Sequence, residues 1–302
     1  MTIDRLIDQI MLKKNPCVVG IDPDEDKIPR CYREAAAAPA EAVLSWAIDV
    51  IDAVKDIVPA VKPQMAFFEV YGPAGLRVHQ QVVQHAQRHG LMVIDDSKRG
   101  DIGSTARAYA RAHLSQNGPV NADFLTVSPF LGTDSMQPFV DTASREGKGL
   151  FVLVKTSNPS SAEISEAVTA QGRTVREYLA AWVHEHAQDC MGKHGSSGIG
   201  AVVGATFPEE ARALRRMMPR SFFLVPGYGT QGGTAQAAAA CFNDDGLGAV
   251  VSASRSVLYH HLDVPGYDHT RALYREIVRR QARQMQQEVY HALKRSCSHM
   301  IY

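Results

Sequence analysis

Residues 91–105, LMVIDDSKRGDIGST, end an apolar run in three carboxylates and two cations within seven residues. Residues two apart on a strand share a face, so Asp96 and Lys98 are predicted to point to one side and Asp95 to the other. Asp96 and Asp101 flank Lys98 and would favour its ammonium form. The spacing is typical of a charged lysine that delivers a proton to a substrate. A solvated surface loop is the alternative interpretation.

A second candidate site combines a glycine-rich loop, PGYGTQGGTAQ (226–236), with the segment SASRS (252–256). Glycines let a ligand approach the backbone closely, and backbone N–H groups of such loops often bind phosphate. Arg255 adds a cation that can bind two phosphate oxygens, and Gln231 adds an amide donor. Together the two segments predict a phosphorylated substrate, although a glycine-rich loop alone is often only a turn.

Short apolar runs, separated by helical patterns, must position these groups. There are eight of them, at residues 16–24, 57–64, 91–98, 123–130, 149–159, 199–206, 221–229 and 246–256. Near-continuous apolar runs are typical of parallel strands covered on both faces, and the alternation with helices predicts right-handed βαβ units. We expect an α/β fold that closes into a (β/α)8 TIM barrel, with a doubly wound open sheet as the structural alternative.

Polar residues lie at only one end of these runs. They are Asp22, Lys62, Asp96, Lys98, Ser157, Thr206, Gln231 and Arg255. In a barrel the carboxyl ends of the strands form one mouth, where active sites are built, whereas an open sheet divides them between two sides of a switch point. One shared mouth therefore favours the barrel.

We expect residues 1–265 to form the catalytic barrel and residues 266–302 to form a C-terminal helical extension packed on it. The stripe Leu273, Ile277, Met285, Val289 and Leu293 recurs at intervals of four or eight residues, as on a helix that docks one face. Its other face is rich in Arg, which indicates a solvated basic surface. A helix that binds an anion or a partner is the alternative.

Composition excludes several classes of function. The chain has 302 residues with Lys+Arg and Asp+Glu balanced at 32 each, so no overall positive field favours nucleic acid. The first sixteen residues carry charges among their apolar positions and predict an amphipathic helix, and no apolar run approaches a membrane span. The five scattered Cys indicate neither a zinc site nor a disulfide framework, so we expect a reducing cytoplasm.

No sequence motif indicates a metal or a nucleotide cofactor. The chain contains no P-loop, GxSxG or HExxH motif and no GxGxxG after a predicted strand. We also expect no clustering of the twelve His at metal-ligand spacing. The prediction is therefore an enzyme without metal or cofactor.

Several segments, in this order, resemble the orotidine 5′-phosphate decarboxylase family. They are VGIDPD (19–24), VKPQMAFFEVYG (61–72), DSKRGDIGST (96–105), LTVSPFLGTDS (125–135), KTSNPSS (155–161), VVGAT (202–206) and PGYGTQGG (226–233). The resemblance covers about residues 16 to 260 and is closest to the long bacterial, type 2 subgroup. It implies a TIM barrel that decarboxylates orotidine 5′-phosphate to UMP and CO2 in pyrimidine synthesis.

The resemblance also implies roles for individual residues. The D-x-K-x-x-D-I motif falls on Asp96, Lys98, Asp101 and Ile102, with the family's strand-1 Asp at Asp22 and its strand-2 Lys at Lys62. Ser157 matches the residue that meets the pyrimidine ring, and Pro226, Gln231, Ser254 and Arg255 match the phosphate site. Many relatives have Gly where this chain has Ser254, whose backbone N–H can still donate to the phosphate.

In the implied mechanism, Asp96 crowds the substrate carboxylate, and Lys98 stabilises the C6 carbanion and protonates it. Lys62 and Asp101 complete a chain of alternating charges. Asp101, Ile102 and Thr105 match residues that reach the partner's site, which implies a homodimer with shared active sites.

Two other functions remain open from the sequence. Magnesium-dependent sugar-phosphate decarboxylases and aldolases share the barrel and the D-x-K-x-x-D motif, but they use a Glu where this chain has Lys62, and an ammonium cannot bind Mg²⁺. The other alternative is a nucleotide-binding barrel that has lost catalysis. The intact set of Asp96, Lys98 and Asp101 argues against it.

Overall fold

The computed structural model describes residues 1–229 and 232–302. Its strands are β1 Cys17–Ile21, β2 Ala60–Pro63, β3 Met92–Arg99, β4 Phe124–Val127, β5 Gly149–Lys155, β6 Ser197–Val203, β7 Ser221–Val225 and β8 Ala249–Ala253. Each strand pairs in parallel with the next, and β8 pairs with β1, so the sheet is a closed barrel. The predicted (β/α)8 TIM barrel is confirmed, and the open-sheet alternative is wrong.

Helices surround the barrel. The α-helices are α1 Thr2–Lys13, α2 Arg30–Arg33, α3 Pro39–Val54, α4 Ala66–Glu69, α5 Gly72–Arg88, α6 Gly103–Leu114, α7 Thr133–Glu146, α8 Ala162–Ser165, α9 Val175–Glu185, α10 Pro208–Met217, α11 Ala235–Ala239, α12 Arg255–Leu258 and α13 Arg271–Ser296. Short 3-10 helices span Pro159–Ser161, His186–Cys190 and His260–Asp263. Among the described residues, no helix is long and apolar enough to span a membrane.

The barrel interior is a packed apolar core. It contains side chains from alternate strand positions and from α1: Ile3, Leu6, Ile7, Ile10, Val18, Ala60, Met92, Ile94, Phe124, Phe151, Val202, Phe222, Leu224 and Val250. A second apolar layer lies between the strands and the outer helices. Both faces of each strand are therefore buried, which explains the near-continuous apolar runs of the sequence.

Helix α1 closes the amino-terminal end of the barrel. The Thr2 hydroxyl donates to the carbonyl of Gly147 at 2.6 Å, and Arg5 pairs with Asp123 at 3.3 Å. Asp8 contacts His194 at 2.8 Å. These partners directly precede β5, β4 and β6, so the helix forms a floor under the barrel. The opposite, carboxyl end of the strands is left for a site.

Helix α13 packs on the outside of the barrel between α3 and α11. The Trp46 indole donates to the Tyr274 hydroxyl at 2.6 Å, and the Gln236 amide donates to the Ser296 hydroxyl at 3.0 Å. The predicted apolar stripe is buried except for the half-buried Leu273. The domain boundary at residue 265 stays a prediction.

The basic face of α13 is only partly solvated. Arg279 pairs with Asp56 at 2.6 Å, and Arg275 lies 3.8 Å from Asp49 of α3. These ion pairs connect α13 to α3 and to the segment that follows it.

Candidate active site

A cavity of about 330 Å³ opens at the carboxyl ends of the strands, within the usual size range for small-molecule sites. Its lining includes Asp22, Lys62, Gln64, Asp96, Lys98, Leu153, Thr156, Ser157, Asn158, Val202, Leu224, Pro226, Gly227, Tyr228, Ser252, Ala253, Ser254 and Arg255. Eight of the residues predicted for the site therefore share one cavity: Asp22, Lys62, Asp96, Lys98, Ser157, Pro226, Ser254 and Arg255. Gln231 lies outside the described residues.

Asp96 is the centre of the polar network in this cavity. Its Oδ2 accepts from Lys62 Nζ at 2.6 Å and from Gln64 Nε2 at 3.0 Å. Its Oδ1 accepts from Lys98 Nζ at 2.6 Å and from the Thr126 hydroxyl at 3.0 Å. Burial alone would raise the pKa of Asp96, but Lys62 and Lys98 outweigh it and lower the pKa to about 2. Asp96 is therefore a carboxylate at neutral pH, held between two cations.

Lys62 is buried between two carboxylates. Burial favours its neutral form, but the charges of Asp96 and Asp22 outweigh burial and raise its pKa. Asp22 Oδ1 is itself buried and has no hydrogen-bond partner among the described residues. The order Asp22, Lys62, Asp96, Lys98 is thus a row of alternating charges. The free acceptor on Asp22 is available to a ligand hydroxyl.

A backbone irregularity in β3 presents Lys98 to the cavity. The pairing of β3 with β4 shifts register between Asp95 and Arg99. Lys98 has a φ of 48°, a left-handed conformation that non-glycine residues rarely adopt. Its N–H donates to the Thr126 hydroxyl at 2.9 Å instead of to a strand carbonyl. A strained residue whose amine points into a cavity is typical of a functional site.

Asp95 points away from the cavity, as the alternation of β3 predicts. It is fully buried, with its Oδ2 2.6 Å from His113 Nδ1 and its Oδ1 3.4 Å from His79 Nε2. Arg99 does not pair with it but with Glu69, at 2.6 Å. Asp95 therefore fastens β3 to helices α5 and α6.

Asp101, Ile102 and Thr105 do not line the cavity of their own chain. Asp101 Oδ1 accepts from the N–H of Ile102 at 2.8 Å, and the Ile102 side chain is 56% exposed. Among the described residues, Lys98 forms an ion pair with Asp96 and none with Asp101. The expectation that Asp101 flanks Lys98 is therefore wrong within a single chain.

Arg255, at the start of α12, also lines the cavity. It is exposed, and no carboxylate among the described residues pairs with it. The hydroxyl of Ser254 lies against Gly20 of β1, where an added Cβ would come within 2.0 Å of Ser254 Oγ. A guanidinium that lines a cavity and has no carboxylate partner among the described residues favours an anionic ligand.

Sequence reasoning missed two residues of the Asp96 network, Gln64 and Thr126. Gln64 is two residues after Lys62, so strand alternation could have placed it on the same face. Thr126 is a single polar residue in the apolar run of β4, which is a weaker signal.

The fold and the site define a (β/α)8 barrel with a cavity at its carboxyl-terminal mouth, lined by Lys62, Lys98 and Arg255. The model of the Orotidine 5′-phosphate decarboxylase / HUMPS family matches residues 16–261. The chain belongs to this family.

Individual relatives cover most of the chain. Orotidine 5′-phosphate decarboxylase of Rhodopirellula baltica is 44% identical over 252 residues, which is 80% of this chain and 83% of the relative. The same enzyme of Clostridium novyi is 36% identical over 96% of this chain and 98% of the relative. A solved structure from Streptomyces avermitilis, whose description proposes the same activity, is 33% identical with a TM-score of 0.82, covering 96% and 95% of the two chains.

Proposed function

We propose that the protein decarboxylates orotidine 5′-phosphate to UMP and CO2, without metal or cofactor, as a step of pyrimidine synthesis. The observation that carries the proposal is the row of alternating charges, with Lys62 buried between Asp22 and Asp96. The family also includes metal-dependent members. An ammonium occupies the position where a metal ligand would be needed, and an ammonium cannot bind Mg²⁺.

The charges of the cavity match the needs of this reaction. The bond between C6 and the carboxylate breaks, and its electron pair stays on C6. Lys98 stabilises that charge and transfers a proton from Nζ to C6, after which solvent reprotonates the amine. Asp96, an anion because Lys62 and Lys98 lower its pKa to about 2, repels the substrate carboxylate and holds Lys98 2.6 Å away.

The remainder of the cavity suits the rest of the nucleotide. Asp22 has a buried free acceptor for a sugar hydroxyl. Ser157, which also lines the cavity, is proposed to contact the pyrimidine ring. Arg255, Ser254 and Pro226 bind or cover the phosphate, and Gln231 is proposed to join them. Binding energy gained at the phosphate, remote from C6, can hold the substrate carboxylate close to Asp96 despite their repulsion.

We propose a homodimer with shared active sites, in which Asp101, Ile102 and Thr105 reach the neighbouring cavity. Ile102 is 56% exposed, and Phe130 and Leu131 after β4 are 82% and 49% exposed. Large apolar side chains exposed around one segment are typical of an interface. A two-fold interface would use this patch twice and bring Asp101 to the partner's Lys98. Neither nucleic acid nor membrane is a proposed partner.

All five cysteines are free thiols. Free thiols persist in a reducing compartment, so we propose a cytoplasmic location.

The test is turnover of orotidine 5′-phosphate by purified protein, with and without excess EDTA, followed by loss of substrate absorbance and by release of CO2. We expect equal rates in both conditions. A rate that EDTA abolishes and Mg²⁺ restores would favour the metal-dependent alternative. Binding of UMP without turnover would favour the inactive nucleotide-binding barrel.

A further inference from the structure

Asp52, His85 and His89 form a cluster at the end of the barrel opposite the cavity. Asp52 lies in the last turn of α3, while His85 and His89 lie at the end of α5. These helix ends precede the starts of β2 and β3, so the cluster is on the outer surface, near the barrel floor. None of the three residues lines the candidate active site.

The spacing within the cluster matches that of metal ligands. His85 Nε2 and His89 Nε2 lie 3.3 Å and 3.5 Å from the same Asp52 Oδ1. One ligand atom from each of the three residues lies within 4.8 Å of the others. Bonds of about 2.0–2.2 Å to a tetrahedral Zn²⁺ place neighbouring ligand atoms roughly 3.3–3.5 Å apart. The two distances from Asp52 Oδ1 to the histidine nitrogens therefore match two edges of such a tetrahedron.

The helix explains why the two histidines meet. His85 and His89 are four residues apart, which places them on one face of α5, and their ring centroids lie 4.6 Å apart. Two His at this spacing on one helix face form a common half of zinc sites. The expectation that the histidines do not cluster at metal-ligand spacing is wrong for His85 and His89. Their third partner, Asp52, comes from α3, which is distant in the sequence.

Lys55 is the competitor for this site. Its Nζ lies 3.0 Å from the same Asp52 Oδ1. The Lys55 side chain is 37% exposed, and an ion pair of this kind contributes little to stability. A divalent cation bound by two imidazoles and a carboxylate would therefore displace the ammonium into solvent.

We propose that Asp52, His85 and His89 bind one divalent ion of the zinc class. Two neutral imidazoles with one carboxylate favour Zn²⁺, Co²⁺, Ni²⁺ or Cu²⁺ over Mg²⁺ and Ca²⁺. Three protein ligands leave the fourth position to water. The ion would cross-link α3 to α5 and stabilise the folded chain by mass action, without a part in decarboxylation.

The experiment is titration of tag-free protein with ZnCl2 by isothermal calorimetry, alongside the variants His85→Gln, His89→Gln and Asp52→Asn. The matched control is His291→Gln, an exposed histidine on α13 far from the cluster in sequence. We expect one equivalent of Zn²⁺ to bind, at least tenfold weaker binding in each cluster variant, and unchanged binding in the control. MgCl2 at the same concentration should give no signal.

A second measurement distinguishes a variant that has lost zinc binding from one that has misfolded. Turnover of orotidine 5′-phosphate should be the same in the wild type and the two histidine variants. Zinc should raise the unfolding temperature of the wild type and of His291→Gln by the same amount, and that of the cluster variants by less. Absence of saturable binding up to millimolar zinc would overturn the proposal. So would equal affinity in the cluster variants and the wild type, since the ion would then bind elsewhere, for example at a thiol.

Discussion

Replacing Asp96 by Asn removes the charge at the centre of the cavity and leaves the shape of the side chain nearly unchanged. Asp96 is only 6% exposed and accepts hydrogen bonds from Lys62, Lys98, Gln64 and Thr126. In the variant the two ammonium groups lose the carboxylate between them. We therefore expect Asp96→Asn to destabilise the fold as well as to abolish turnover.

The pKa of Asp96 gives the size of the effect. Burial would raise it, but Lys62 and Lys98 together lower it from 3.8 to about 2. A fall of that size corresponds to roughly 2 kcal/mol of stabilisation by the ionised form. Because the folded pKa is the lower one, this stabilisation is complete above the unfolded value near 3.8 and is lost as the pH falls through about 2.

The assay is urea unfolding followed by tryptophan fluorescence at several pH values and one protein concentration. Asp96→Asn should be about 2 kcal/mol less stable than the wild type at pH 7, and the difference should shrink between about pH 4 and pH 2. Asp26→Asn, at an exposed position, is the control and should change little at any pH. An Asp96→Asn variant as stable as the wild type at pH 7 would refute the reasoning, because the lysines would then not stabilise the carboxylate.

Three further predictions concern the proposed reaction and assembly. Lys98→Ala should retain the fold and lose more than 99% of turnover, since a general acid alone contributes about 10²–10⁴-fold; a variant with a tenth of the wild-type rate would exclude Lys98 as the proton donor. Arg255→Ala should weaken UMP at least tenfold more than uridine in calorimetry, because only the nucleotide carries the phosphate that Arg255 would bind; equal weakening would mean a structural role. Asp101→Ala and Lys98→Ala should each be nearly inactive, yet subunit exchange at equal amounts should restore about a quarter of the sites, because half of the dimers are mixed and each holds one intact site. If a tag on one chain shows exchange and activity does not return, the sites are not shared.

The barrel could be predicted from the sequence because the same pattern, an apolar run followed by a helical segment, occurs eight times. A strand covered on both faces must be apolar throughout, so each strand appears as an apolar run that ends where its side chains meet the mouth. Asp22, Lys62, Asp96 and Arg255 could be grouped for the same reason. The resemblance to a family then supplied their chemistry, which spacing alone does not. The subgroup within that family stays a prediction.

Other features depend on contacts that the sequence does not display. The alternation of β3 correctly separated Asp95 from Asp96, but the left-handed backbone at Lys98 arises from a register shift against β4. The pairing of Arg99 with Glu69 likewise depends on where α4 lies. The cluster of Asp52, His85 and His89 was missed because Asp52 and His85 are 33 residues apart.

The floor formed by α1 has a consequence for the order of events during synthesis. The ribosome makes α1 before the strands that it covers, and its contacts at Asp123, Gly147 and His194 come 118 to 186 residues later in the chain. At about 5–20 residues per second, the apolar face of α1 has no native cover for on the order of ten seconds or more. The amino-terminal end of the barrel therefore stays open until these later segments have been made. Helix α1 is thus among the last elements to reach its final place, and until then the nascent chain carries an exposed amphipathic helix.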